Sequence, residues 1–157
     1  MYDGTQIIDR AVSLGYIVGD EGSGSYIGRK LTRAYFYDLM PLELKLSFES
    51  IYQLKIKDFI HHVYHEKEAS KYLAQFVKFA GQNKSHPYIQ SLIKECFSDF
   101  IKVFVLRYKD CRLLPVSFVG SVAYYFQDLL KESLEAEGLT LGNLSQTPAE
   151  GLIQFYS

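Results

Sequence analysis

The amino-acid sequence predicts an α/β fold with a mainly parallel sheet and a large helical insertion over residues 41–110. The middle of the chain has only helical periodicity, whereas the last third alternates strand and helix patterns, as parallel βαβ units do. Near the start, the apolar residues of Gln6–Val12 predict a further strand. The predicted elements of the last third are a strand over 113–119, a helix over 122–137, a strand over 139–144 and a closing helix over 148–156.

Apolar residues at helical spacing predict each helix of the first two thirds. The first helix starts at Tyr26 and ends before Pro41, because the residue before a proline is disfavoured in helical geometry. The longest helix covers 87–109, and its broad apolar stripe predicts a central helix that is covered on more than one side. Between these two, the spacing predicts helices over 42–49, 53–65 and 68–81.

Composition indicates one folded domain and excludes several protein classes. A length of 157 residues fits a single domain of ordinary size. A hydrophobic content of 48% excludes a disordered chain, and a formal net charge of −1 argues against a protein whose main task is to hold nucleic acid. The 13 Tyr and 11 Phe residues indicate either a large aromatic core or a surface that binds a partner.

Cysteine usage and the absence of targeting patterns predict a cytoplasmic protein. Cys96 and Cys111 allow one disulfide in principle, but two free buried thiols are the preferred interpretation. The first residues lack the basic and apolar regions of a signal peptide. No apolar run approaches the length of a membrane span, so we expect no membrane association.

The most distinctive segment is Gly19–Ser25, with the sequence GDEGSGS. Its glycines let the backbone approach a ligand closely, and the segment leads into a helix whose N–H groups and dipole lie nearby. One interpretation is a small-molecule site in which a carboxylate of Asp20 or Glu21 accepts hydrogen bonds from ligand hydroxyls. The alternative is a flexible turn with a solvated acidic pair. No Gly-Lys-Ser/Thr follows, so the segment is not a Walker phosphate loop.

A second glycine turn follows the predicted strand of the last third. The continuous apolar run Leu113–Val119 predicts a buried parallel strand, and Gly120 and Ser121 lead from it into a helix. Ligands of α/β folds bind at the carboxyl ends of strands, so a nucleotide could lie against this backbone. The alternative is an ordinary tight turn between a strand and a helix.

The remaining candidates for chemistry are interpreted as structural. His61 and His65 have the four-residue spacing of helical metal ligands, but no further ligand completes a site, so surface or packing roles are preferred and no metal site is predicted. Cys96 and Cys111 lack the surroundings of a catalytic thiolate. Ser121 lacks the second glycine of a nucleophile elbow.

Three segments occur in the order of one known family. Residues 14–24, LGYIVGDEGSG, are similar to an LGxxxGDEGSG motif, residues 118–125, FVGSVAYY, resemble an adenosine loop, and residues 148–153, PAEGLI, resemble a closing helix. The chain thereby resembles, over essentially its whole length, the N-acetylglucosamine kinases of the BadF/BadG/BcrA/BcrD ATPase family, in the sugar kinase, Hsp70 and actin superfamily. The resemblance implies an actin-like ATPase (ribonuclease H-like) fold.

The resemblance also implies two groups of binding residues. For the sugar, Asp20 corresponds to the residue that accepts a hydrogen bond from a hydroxyl group, and the substrate-binding set is Gly15, Tyr16, Asp20 and Glu21. For the nucleotide, the implied set is Ala80, Gly81, Gly120, Ser121 and Tyr124.

A member of this family has two domains and uses ATP with Mg²⁺ to phosphorylate the 6-hydroxyl of N-acetylglucosamine or a related amino sugar. Neither phosphate loop, nor the N-terminal domain with its catalytic Asp, has a counterpart in this sequence. The resemblance therefore implies that residues 1–157 are the C-terminal domain, inactive alone, with the missing N-terminal domain or a second copy as partners. The alternative is a non-catalytic dimerising or ligand-sensing module that retains the fold.

Overall fold

The computed structural model describes residues 4–149 and divides the chain into two compact units. The first, called the helical unit here, comprises residues 22–96. The second, called the sheet unit, joins the residues up to Glu21 to those from Phe97 onward. Over the described range, every helix is too short or too polar to cross a membrane.

Short helices make up most of the described range. The α-helices are α1 (Gly15–Val18), α2 (Gly24–Phe36), α3 (Leu42–Tyr52), α4 (Ile56–His65), α5 (Ala69–Ala74), α6 (Val77–Gln82), α7 (Pro87–Phe100), α8 (Ser121–Tyr125) and α9 (Gln127–Ala136). A π-helical segment, Ile101–Val105, continues α7, and the strands are β1 (Pro115–Val119) and β2 (Thr140–Ser145).

Aromatic rings form much of the core of the helical unit. Phe48, Phe76 and Phe79 are fully buried. The centroid of the Phe48 ring lies 5.0 Å from that of Phe79 and 5.7 Å from that of Phe76, and the Tyr35 and Tyr52 rings lie 5.0 and 4.6 Å from Phe48. Ring pairs of this kind add about 0.5–1.5 kcal/mol each beyond the burial of their area. The high aromatic content of the sequence is therefore explained, in part, by a large aromatic core.

The sheet unit contains a two-stranded parallel sheet whose strands are joined through α8 and α9. Pro115 pairs with Thr140 and Val119 pairs with Ser145, with an irregular register between these ends. On α9, the side chain of Leu130 is fully buried. The predicted order of strand, helix and strand in the last third and the parallel pairing are both confirmed, and the chain has a mixed helical and sheet architecture.

Most predicted helices are present with shifted bounds. The first ends at Phe36, well before Pro41, which instead precedes α3 as its N-cap. The predicted helix over 68–81 is interrupted, because the N–H groups of Phe76 and Phe79 bond to carbonyls three residues back and tighten the chain there.

The predicted long helix over 87–109 changes geometry near its middle. It is α-helical to Phe100 and then widens, so that the Leu106 N–H donates to the Ile101 carbonyl five residues back, at 2.9 Å. Hydrophobic periodicity does not distinguish a π-helical turn from an α-helical one, which is why the sequence predicts one uninterrupted helix.

The strand predicted over Gln6–Val12 is wrong. The segment is irregular apart from a single bridge residue at Ile7, and Ile7, Ile8 and Val12 are all about half exposed or more. In a strand, adjacent residues point to opposite faces. In a strand, Ile7 and Ile8 would therefore lie on opposite faces and could not both pack against the core. The apolar pattern thus gives little support for a strand with one buried face.

The predicted burial of the strand over 113–119 is also wrong. The strand begins only at Pro115, and Leu113 before it is 81% exposed. Alternate residues of β1 are exposed, and the sheet in the described range has only two strands, so β1 has one strand neighbour. The predicted closing helix over 148–156 lies mostly outside the described residues, and the insertion over 41–110 stays a prediction.

Candidate functional site

The residues predicted to bind the sugar lie in the sheet unit, in a turn with left-handed backbone geometry. Gly15 begins α1 at φ +74°, and its carbonyl accepts a hydrogen bond from the Gly19 N–H at 2.9 Å. Asp20 follows at φ +60°, a conformation that Asp tolerates better than most residues. The half-buried Tyr16 lies within α1. The structure thus brings Gly15, Tyr16, Asp20 and Glu21 into one short segment.

Ser13 orients the Asp20 carboxylate. The Ser13 hydroxyl donates to Asp20 Oδ1 at 3.1 Å and accepts from the Gly15 N–H at 3.4 Å. A carboxylate can accept about four hydrogen bonds, so this contact leaves acceptor sites for a ligand hydroxyl. Sequence reasoning missed Ser13, because the contact spans seven residues and depends on the turn at Gly15, which no spacing pattern predicts.

The neighbouring carboxylate has an unsatisfied oxygen. Glu21 Oε2 is buried and has no hydrogen-bond partner, although the residue as a whole is only partly buried. Leaving a buried polar group unpaired costs about 1–3 kcal/mol, so such an atom needs an explanation. A donor group on a bound ligand would remove this cost. Asp20 therefore has an acceptor oriented by Ser13, and the next residue, Glu21, has an acceptor without a partner.

The second half of the glycine-rich segment has a structural role at the start of the helical unit. The Ser23 hydroxyl accepts from the Tyr26 N–H at 3.2 Å and caps α2. A Cβ on Gly24 would lie 3.2 Å from the Cβ of Ala74, which is closer than an ordinary contact. The serine and glycine pattern is thus explained in part by capping and close packing, as the alternative interpretation allowed.

The turn after β1 presents open backbone. Gly120 adopts φ +140° and ψ 154°, and its N–H donates to the Ser145 carbonyl at 2.9 Å. A Cβ built on Gly120 would meet nothing within 4 Å, so the space beside it is open. Ser121 and Tyr124 are exposed beside it, and the Tyr124 ring lies 5.9 Å from that of Tyr125. An extended ligand group could therefore reach this backbone without displacing any side chain.

The other predicted nucleotide contacts lie in the helical unit. Ala80 is fully buried within α6, so its side chain belongs to the core. Gly81 follows it on the exposed side, and a Cβ there would meet nothing within 4 Å. A ligand could reach this pair through Gly81 and the backbone, but not through the Ala80 methyl group.

The histidines of α4 have packing partners. The His62 ring stacks on Tyr72 at 4.6 Å, and its Nδ1 lies 2.7 Å from the Asp58 carbonyl oxygen. The His61 and His65 rings lie 5.4 Å apart. Among residues 4–149, no group of three or more His, Cys, Asp or Glu side chains is arranged to hold a metal ion. Both cysteines are buried and neither forms a disulfide, as predicted.

Comparison with known proteins shows similarity to a solved structure. No family model matches the chain, and no curated protein matches it. The chain is similar to the crystal structure of a protein named as a putative N-acetylglucosamine kinase from Porphyromonas gingivalis, with a TM-score of 0.93 and 39% sequence identity. The match covers 98% of this chain and 54% of that one, so the chain spans about half the length of the solved structure. Over its own length, this chain therefore has a kinase-like fold.

Proposed function

We propose that this chain is the C-terminal sugar- and nucleotide-binding domain of an N-acetylglucosamine kinase-like enzyme of the actin-like ATPase type. The observation that carries the proposal is the match along 98% of the chain to about half of a protein named as such a kinase. Sequence identity of 39% extends the likeness beyond fold alone. The motifs quoted above add the BadF/BadG/BcrA/BcrD family and the cytoplasm as expectations.

The sugar would bind at the turn formed by Gly15–Glu21. Asp20 is held by the Ser13 hydroxyl and keeps free acceptor capacity for a sugar hydroxyl. Glu21 Oε2, buried without a partner, would gain a donor from the same ligand. Two acceptors on successive residues suit a polyhydroxylated molecule such as N-acetylglucosamine, because its neighbouring hydroxyls can donate to both.

The nucleotide would bind against the open backbone after β1. The space beside Gly120 fits the close approach of a nucleoside, and Ser121 and Tyr124 offer an exposed hydroxyl and ring there. Ala80 and Gly81 stay part of the predicted nucleotide set, as the resemblance implies. When bound, ATP with Mg²⁺ supplies the phosphoryl group and neutralises its charge. The residues of this chain would bind and orient the two substrates.

The proton acceptor and the phosphate loops would come from the other half of the enzyme. Enzymes catalyse phosphoryl transfer mainly by positioning the substrates and stabilising the charge of the transition state. A chain with only half of the binding residues should therefore not phosphorylate the sugar at a useful rate. The sheet unit exposes large apolar side chains, among them Ile17 at 69%, Val18 at 67% and Val119 at 63%. These exposed apolar side chains are our reason for expecting a partner domain on this unit.

The test compares the complete two-domain enzyme with the isolated chain. In the complete enzyme, Asp20→Ala should raise the KM for N-acetylglucosamine at least tenfold, the loss expected for about 1.4 kcal/mol of binding energy. Asp128→Asn, on the first turn of α9, serves as the matched control and should leave the KM unchanged.

Two results would contradict the proposal. An unchanged sugar affinity after Asp20→Ala would remove the sugar site from this turn and favour the dimerising or sensing module. ATP-dependent phosphorylation of N-acetylglucosamine by the purified 157-residue chain would show that the second half is not needed.

A further inference from the structure

Strand β1 has a strand partner on one edge only. Within residues 4–149, it pairs with β2 alone, in parallel from Pro115 to Val119. The free edge of a sheet presents a row of backbone N–H and C=O groups that can pair with a further strand. Sheets of globular proteins have about 5–6 strands on average, and parallel ones are usually covered on both faces. The sheet of this chain is therefore smaller than a parallel sheet normally is.

Ser117 and Val119 direct their backbone groups towards the free edge of β1. The Gly120 N–H donates to the Ser145 carbonyl of β2 at 2.9 Å. Because successive residues of a strand direct their N–H and C=O groups to opposite edges, those of Ser117 and Val119 point away from β2. Both residues are exposed, Val119 by 63%. The edge thus offers their N–H groups as donors and their carbonyls, with that of Pro115, as acceptors.

The edge of β1 lacks most of the features that keep free edges from pairing. Natural edge strands are protected by charged side chains, bulges or prolines. Residues 113–127 include no charged residue, and Pro115 lies at the first position of β1, where it leaves the later N–H groups in place. On β2, by contrast, the register shifts between Leu141 and Leu144, and an irregularity of this kind protects an edge. Of the two strands, β1 is therefore the one open to a further strand.

An apolar groove of about 520 Å³ lies beside β1. Residues 115–118 line it together with side chains that precede the strand, among them Phe100 and Phe104, and none of the lining residues is charged. The Phe100 ring lies 5.7 Å from the Phe118 ring of β1. Side chains of a strand point alternately to its two faces, so a strand paired with β1 would have a place to bury apolar side chains.

We propose that the free edge of β1 pairs with an extended strand from the other half of the two-domain enzyme. The inference rests on the proposed function for the existence of that half. About half of the solved structure that this chain matches has no counterpart here, which is ample length for such a strand. Backbone hydrogen bonds to the edge hold the strand, and its apolar side chains in the groove select it.

Amide hydrogen exchange, followed by NMR, measures this pairing residue by residue. In the isolated 157-residue chain, the N–H groups of Ser117 and Val119 should exchange rapidly, whereas that of Gly120, bonded to β2, should be protected. In the complete two-domain enzyme, exchange at Ser117 and Val119 should be slower by roughly tenfold or more. Gly120 is the internal control, because its hydrogen bond to β2 is present in both proteins.

Three results of this comparison would overturn the proposal. The first is rapid exchange of Ser117 and Val119 in both proteins. The second is protection in the isolated chain that increases with its concentration, which would assign the edge to a second copy. The third is equal protection in both proteins at every concentration, which would mean that the chain covers its own edge. An inactive complete enzyme with a protected edge would contradict the proposed function and leave this inference standing.

Two substitutions at Ser117 test the edge directly. Ser117→Pro removes the N–H that faces the edge, whereas Ser117→Ala keeps it. Both remove the Ser117 hydroxyl, which accepts from the Asn143 N–H at 3.1 Å, so Ser117→Ala is the matched control. In the complete enzyme, Ser117→Pro should speed exchange at Val119 by roughly tenfold and Ser117→Ala should not. Equal exchange in the two variants would contradict the proposal. If Ser117→Pro does not fold, the comparison of the unmodified proteins still decides.

Discussion

A Cβ atom on Gly28 would lie 1.9 Å from the carbonyl oxygen of Leu73. Gly28 belongs to α2 and Leu73 to α5, and both residues are buried. One turn further along α2, the buried Thr32 hydroxyl donates to the Gly28 carbonyl at 2.9 Å. The backbones of the two helices thus approach at a point where only glycine fits. This contact fixes α2 just after the glycine-rich segment Gly19–Ser25, whose last two residues begin the helix.

Gly28→Ala should destabilise the helical unit strongly. The new methyl group would overlap backbone rather than the end of a flexible side chain, so α2 and α5 must separate, at a cost of about 1–3 kcal/mol or more. The free energy of unfolding from urea titration measures this cost. Gly81→Ala is the matched control, because Gly81 is exposed on α6 and a Cβ there meets nothing within 4 Å. Equal effects of the two substitutions would contradict the close approach.

Phe48→Ala should remove the centre of the aromatic core. Phe48 has no exposed surface and contacts the rings of Tyr35, Tyr52, Phe76 and Phe79. A large-to-small substitution of this kind costs about 3–5 kcal/mol through lost burial and a residual cavity. Thermal and chemical unfolding both report the loss.

Leu46→Ala provides the control for Phe48→Ala. Leu46 lies on the same helix but is 58% exposed, so its removal should change stability by no more than about 0.5 kcal/mol. A comparable loss at both positions would mean that α3 packs differently from the arrangement described above.

The ion pair between Glu43 and His86 should make stability depend on pH in the acid range. The Glu43 backbone N–H and then the His86 ring, at 3.0 Å, lower the pKa of the Glu43 carboxyl below its usual 4.5. Because the folded-state pKa is the lower one, the stabilisation is present above pH 4.5 and is lost as the pH falls through the folded value.

Glu43→Gln should remove this part of the pH dependence. The thermal midpoint of the variant, followed from pH 6 downwards (roughly the range in which native carboxylates titrate), should fall less steeply than that of the unmodified chain. Glu49→Gln on the same helix keeps the Glu43–His86 contact and serves as control. Parallel curves for the unmodified chain and Glu43→Gln would contradict the prediction.

Local sequence patterns predicted helices and strands well where the spacing of apolar residues determines the type of element. Apolar spacing located α2, α3 and α4 to within a few residues, and the apolar run before Gly120 predicted β1 and its parallel partner. The features that the sequence did not predict depend on contacts between residues that are not neighbours along the chain. The left-handed turn at Asp20 and its hydrogen bond from Ser13 are tertiary features, and so is the approach of Leu73 to Gly28. Spacing along the chain carries no signal for such pairs.

The contact between Ser13 and Asp20 leads to the last prediction, which concerns positioning of the sugar acceptor. In the complete two-domain enzyme, Ser13→Ala should raise the KM for N-acetylglucosamine severalfold, less than Asp20→Ala, because Asp20 remains but loses the hydroxyl that orients Oδ1. The kcat should change little, since Ser13 touches no reacting group in the proposed site. Ser13→Thr keeps a hydroxyl at this position and should restore most of the affinity.

Ser50→Ala separates this role from the general loss of an exposed serine. The Ser50 hydroxyl donates to the Ser47 carbonyl on α3 at 2.8 Å, at an exposed position outside the proposed site. Steady-state kinetics should show an unchanged KM for Ser50→Ala. If Ser13→Ala behaves like Ser50→Ala while Asp20→Ala still weakens sugar binding, Asp20 acts without support from Ser13. If Ser13→Ala lowers kcat and leaves KM unchanged, Ser13 affects the chemical step, and its assignment as a positioning residue for sugar binding is wrong.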